Sequence, residues 1–237
     1  MGGRYKMFIF LALIISCMVT IEDSTDRTAI TFEQGETSKA FSVRTPLQSS
    51  AKIVVFGKGQ VLGHGSSNYF KLGKYKFIVT AAHVLSHEHD SFILDGEELV
   101  KINTIYIDKT RDVALAVPER ELINIQSRHF RANNKIDIIG KDVYYAGFPQ
   151  DLNKALFKGF VANSGQSWVL MQGFALPGSS GSVVFDYWGR AIGVVSAVKV
   201  GHFGLSPFAE LVETAIIVER VGFINKDFLK EIYKNNG

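Results

Sequence analysis

From Ala51 onward the chain is a succession of short β-branched and aromatic segments broken by glycine or polar turns. They read "AKIVVF", "HGSSNYFKL", "YKFIVTAAH", "INTIYI", "VALAV", "DVYYAGF", "FVANSG", "SWVLMQ", "SVVFD" and "AIGVVSAV". Segments this short cannot be mean-length helices, and their regular spacing is that of an all-β barrel or sandwich. Helical patterns occur only near the end. In "SPFAELVETAII", Ser206 can cap and Pro207 can open a helix. In "NKDFLKEIYK", Asn225 can cap a helix whose apolar face is Phe228, Leu229, Ile232 and Tyr233.

Composition narrows the class. The chain has 237 residues, 46% apolar and 21% charged, which fits a single globular domain and excludes a disordered chain. A net charge of +3 without any Lys/Arg run speaks against nucleic acid as a partner. The only cysteine is Cys17, so there is no intrachain disulfide and no Cys-based metal site. "HEHD", with His87 and His89, has no third ligand in view and reads as a solvated loop. No metal or other cofactor is expected.

At the N-terminus, Arg4 and Lys6 precede the apolar run "MFIFLALII", the layout of an export signal. The run is short for a membrane-spanning helix, which needs about 20 residues. "LIISC" resembles the lipobox of bacterial lipoproteins, in which the cysteine is acylated. The competing readings are an ordinary cleaved signal peptide and an uncleaved anchor. The expectation is an exported chain, either attached to the membrane through lipid on Cys17 or secreted. Residues 1–17 form the signal segment, 18–48 a Thr/Ser/Glu/Asp-rich tether or lead-in, and 49–237 the domain with its helical tail.

Three stretches carry chemistry: "VTAAHV" with His83, "RDVALAV" with Asp112 and "PGSSGS" with Ser179, Ser180 and Ser182. In this order, on a β background, they resemble the trypsin-like serine peptidases of the chymotrypsin lineage. The similarity is strongest to the bacterial and HtrA-type branch, and it covers roughly Ala51 to Phe208. The resemblance implies two six-stranded antiparallel β-barrels with short C-terminal helices. It implies His83 as general base, Asp112 as its orienting carboxylate and Ser180 as nucleophile, with the N–H groups of Gly178 and Ser180 forming the oxyanion hole. No PDZ-like stretch follows, so the gating of HtrA enzymes is not implied. The chain has neither an aspartate at 179 nor an "Ile-Val-Gly-Gly" start, so activation by insertion of a new N-terminus is not expected.

The chemistry needs these types. A serine hydroxyl attacks a carbonyl only when a base takes its proton. An imidazole can take that proton and return it to the leaving amine. A carboxylate fixes the tautomer of the imidazole. Other readings stay open: His83 as a core histidine, Asp108 as the carboxylate, and Ser180 as a turn serine in an inactive relative that binds peptides. A viral polyprotein peptidase behind a membrane anchor is a further alternative.

The resemblance also assigns substrate-binding positions. Phe174 stands at the base of the pocket for the residue before the scissile bond (P1), Ser196 near the triad, and Val198 on the pocket wall. Val195 stands where a glutamyl-specific branch has histidine; His202 could line the cleft but reads as a surface histidine. With no acidic or basic partner at these positions, the expected preference is for a small or medium apolar P1. The expected partner is a polypeptide substrate; oligomeric state is not legible.

Overall fold

The computed structural model describes residues 37–85, 89–150, 152–206 and 209–236, with side chains left aside at 37–42 and 198–214. Arg4, Lys6, Cys17, residues 18–36 and His87 lie outside the described residues, as do the side chains of Val198 and His202. The described residues from Thr37 onward form one compact unit.

The all-β expectation holds, as two closed barrels of six strands each. The first is built from β1 (Ser50–Gly57), β2 (Gln60–Leu72), β3 (Tyr75–Thr80), β4 (Asp90–Asp95), β5 (Glu98–Asp108) and β6 (Val113–Pro118). Their order is β1-β4-β5-β6-β3-β2, and β2 pairs back onto β1 to close the ring. A two-residue strand, β7 (Arg128–His129), adds in parallel to β2. The second barrel comprises β8 (Asp142–Gly147), β9 (Ala155–Ser164), β10 (Trp168–Gln172), β11 (Val183–Asp186), β12 (Ala191–Ser206) and β13 (Ala209–Arg220), ordered β10-β13-β12-β11-β8-β9. Closure gives every strand of the two six-stranded rings a partner on both sides, and only β7 ends a sheet.

Alternation decides what each barrel encloses. In β1, Ala51, Ile53 and Val55 point inward and join Ile93 and Val100 in the first interior. In the second, Val143, Tyr145, Val161, Met171, Ile216 and Val218 do the same. A third cluster fills the junction between the barrels. There Phe70 and Phe77 of the first barrel meet Phe185 and Val194 of the second, with Phe130 against both phenylalanines of the first barrel.

Two segments depart from the sequence reading. The pattern "SPFAELVETAII" predicts a helix, but residues 209–220 are strand β13, paired with β12 on one side and β10 on the other. Helix propensity yields to sheet pairing here. Ile216 and Val218, two residues apart, both face the interior at 0% exposure, a periodicity a helix would break. Second, the stretch read as a tether or lead-in through residue 48 has regular structure in its last part, where residues 37–49 form helix α1 (Thr37–Ser49). Its C-terminal end is tied down: Asn68 Nδ2 donates to Ser49 Oγ at 2.8 Å, and Gln126 N donates to Gln48 O at 3.0 Å.

The final expected helix forms as α2 (Lys226–Asn235). Asn225 accepts from the Phe228 N–H at 2.9 Å, the capping bond that starts it. Leu229 is fully buried and the Tyr233 hydroxyl donates to Lys76 O at 2.6 Å, so the helix that follows the second barrel fastens onto the first.

Candidate active site

The first barrel supplies an acid–base pair. β3 ends at Thr80, and His83 follows in a single 3-10 turn (Ala82–Val84). Asp112 immediately precedes β6 and lies in the left-handed region at φ 48, a conformation that aspartate tolerates better than most residues but at a cost. Asp108 builds the turn that holds it there. Its Oδ1 accepts from the N–H groups of Thr110 and Arg111 at 2.9 and 3.0 Å. Among the described residues, Asp108 makes no hydrogen bond to His83, and Asp112 makes two. His83 Nδ1 and Asp112 Oδ2 are 2.7 Å apart, and the His83 backbone N–H donates to Oδ1 at 2.9 Å. The Ser196 hydroxyl donates to the same Oδ2. Burial pushes the Asp112 carboxyl up, but these hydrogen bonds from His83 and Ser196 outweigh it and hold the group below the usual carboxylate range. An ionised carboxylate can only accept, so Nδ1 carries the proton and Nε2 is left as the basic atom.

The second barrel supplies the serine turn between β10 and β11. Of its three serines, Ser179 and Ser182 are 1% and 0% exposed, whereas Ser180 is half-buried. Gly178 sits at φ +93, and a Cβ there would lie 2.4 Å from Phe148 O, so only glycine fits. Gly181 is as constrained, at φ +90 with a Cβ position 2.0 Å from Ser66 O. Among the described residues, neither the Gly178 nor the Ser180 amide donates to a protein acceptor. The Pro177 carbonyl accepts from Gln150 N at 2.6 Å. In a trans peptide the C=O and N–H point opposite ways, so that bond turns the Gly178 N–H away from Gln150.

The halves meet around a cavity of about 360 Å³ lined by His83, Ser180, Gly178, Pro177, His64 and His89 among others. No Ser180 Oγ–His83 hydrogen bond is formed among the described residues; such bonds are often long before substrate arrives. A larger cavity of about 430 Å³, lined by Arg111, Gln166 and Arg220, contains neither residue, so size alone does not mark the site.

The remaining expected residues divide. Ser196 lies in β12 and joins the pair through Asp112. Phe174 is 57% exposed, with its ring 6.1 Å from that of Phe157, and it does not line the Ser180 cavity. The backbone of Val198 lies in β12 opposite Ile216. Val195 is packed in the second interior. His89, read from sequence as a solvated loop residue, lines the cavity.

Sequence reading missed the polar row of β2. Ser66, Ser67 and Asn68 are each 0% exposed. An unpaired buried polar group costs about 1–3 kcal/mol, so a row of three must be satisfied. Ser67 donates to Ala51 O at 3.1 Å, Asn68 Oδ1 accepts from Val183 N at 2.8 Å, and Ser66 bonds into the serine turn. His64 was missed as well. Its Nε2 is buried without a hydrogen-bond partner among the described residues, and it lies 2.7 Å from where a Cβ on Gly178 would be. The only sequence sign is a polar run inside a strand.

The family of trypsin-like peptidase domains matches residues 57–194. The crystal structure of the serine endoprotease from Yersinia pestis is similar in fold, with a TM-score of 0.63 at 17% identity, over 84% of this chain and 68% of that one. No curated protein matches the chain.

Proposed function

Because this chain belongs to the family of trypsin-like peptidase domains, we propose that it is a serine endopeptidase that cleaves polypeptides through an acyl-enzyme. The observation that carries the reading is the two-point contact of Asp112 with His83 beside Ser180, the one accessible serine of its turn.

The steps follow from the atoms. Ser180 Oγ attacks the scissile carbonyl carbon while His83 Nε2 takes the hydroxyl proton. Asp112 keeps Nδ1 protonated and stabilises the imidazolium that forms. The carbonyl oxygen becomes an oxyanion and accepts from the Gly178 and Ser180 N–H groups. Collapse breaks the C–N bond, the imidazolium returns its proton to the leaving amine, and Ser180 is left acylated. Water then attacks the ester, giving its proton to His83; the ester C–O bond breaks, His83 passes that proton to Ser180 Oγ, and the acid product leaves.

For P1 the reading remains a small or medium apolar side chain. It is supported by the uncharged residues at Ser196 and Val198, because burying a lone charge beside them is costly. One methylene in such a pocket is worth about 1–3 kcal/mol, so the preference is graded. Profiling the protein on a peptide library tests both levels. Cleavage after Ala and Val should exceed cleavage after Phe, Arg or Glu, and Ser180→Ala should lower kcat by about 10⁶. Hydrolysis that survives Ser180→Ala overturns the mechanism; a profile led by Arg, Lys or Glu overturns only the pocket assignment.

A further inference from the structure

The buried Ser66 hydroxyl has a single consistent bonding pattern. The Phe148 N–H can only donate, and it reaches Ser66 Oγ at 2.9 Å. The Gly178 carbonyl can only accept, and it lies 2.7 Å from the same oxygen. The hydroxyl proton therefore points at Gly178, giving a directed relay from Phe148 N–H through Ser66 O–H to Gly178 C=O. The Ser66 backbone is fixed in turn. Its N–H donates to Ser180 O at 2.8 Å, and its carbonyl accepts from the Thr80 hydroxyl at 2.7 Å. One residue of the first barrel thus grips a carbonyl of the second barrel on either side of Ser179: Gly178 with its side chain and Ser180 with its backbone.

The grip falls where the turn is weakest. Gly178 has no Cβ and stands at φ +93, so its own sterics resist peptide rotation poorly. The Gln150 N–H pins the peptide before it, through Pro177 O, and the Ser66 hydroxyl pins the peptide after it. With both planes held, the Gly178 N–H keeps one direction. Building on the peptidase reading above, we propose that Ser66 is a positioning residue for the oxyanion hole. It fixes, through Gly178, the amide that receives the developing negative charge, without touching substrate itself.

Donor direction matters in the transition state far more than in substrate binding. Loss of one oxyanion donor costs about 10²–10³ in kcat, and a misaimed donor costs a part of that. The test compares Ser66→Ala, which removes only the side-chain arm, with Ser66→Cys, which keeps a weaker donor. Both are measured per active site titrated with a burst substrate. Ser66→Ala should lower kcat about 10- to 100-fold with KM within a factor of two, and Ser66→Cys should fall between it and the parent. The affinity of a peptide trifluoromethyl ketone, whose adduct carries an oxyanion, should weaken in parallel with kcat. If Ser66→Ala fails to fold, the Cys variant carries the comparison alone. Unchanged kcat per titrated site, with only a lower Tm, would mean a purely structural serine and overturn the proposal. An inert parent protein would instead defeat the peptidase reading, and this proposal with it.

Discussion

At the residue scale, Asp112 and Asp108 are four positions apart and chemically alike, and only their bonds separate them. Asp108 spends its Oδ1 on the turn at Thr110 and Arg111, while Asp112 holds both the ring and the backbone of His83. Asp112→Asn should therefore keep the fold and lower kcat by about 10⁴, since an amide favours the wrong imidazole tautomer. Asp108→Asn keeps the Oδ1 acceptor, so its kcat should stay within a few-fold of the parent. Steady-state kinetics of the two variants decide the matter, and the reverse ranking would exchange their roles. His83, Asp112 and Ser180 were legible in the sequence because each sits in a local motif. His64 and Ser66 were not, because their significance arises only when β2 meets a turn more than a hundred residues away.

At the element scale, the strands were legible wherever β-branched residues cluster between glycines. The failures were β13, where a Ser-Pro start imitates a helix, and α1, whose anchoring through Ser49 and Gln48 depends on Asn68 and Gln126. Strand β4 was also missed, although "INTIYI" marks its partner β5, and the anchor of this hairpin is Asp95 at the end of β4. Asp95 is 2% exposed and accepts from Ile123 N at 2.8 Å, Asn124 N at 2.7 Å and Arg120 Nη1 at 3.3 Å. Burial pushes its carboxyl up, but the Ile123 and Asn124 amides and Arg120 outweigh that and hold it below the usual carboxylate range. A depressed folded-state value contributes stability above the unfolded carboxylate value, about 3.9, and loses it as pH falls through the folded one. Asp95→Asn should thus lower Tm by several degrees at pH 7, with the gap to the parent narrowing below about pH 4. Thermal melts across pH check this; a gap that widens in acid contradicts it.

At the scale of the whole molecule, neither barrel holds a complete site. His83 and Asp112 come from the first, Gly178, Ser180 and Ser196 from the second, and the junction cluster of Phe70, Phe77 and Phe185 sets their separation. α2 adds a strap by running from the second barrel onto Lys76 of the first. On the proposed mechanism, the reactivity of Ser180 is a property of the assembled pair. A fluorophosphonate, which phosphonylates an activated serine with loss of fluoride, tests this most directly when the labelled protein is digested and the adduct mapped by mass spectrometry. We predict one adduct, on Ser180, lost in His83→Ala and lost when the protein is unfolded in guanidinium. An adduct on Ser179 or Ser182, or none on the folded parent chain, would contradict the account.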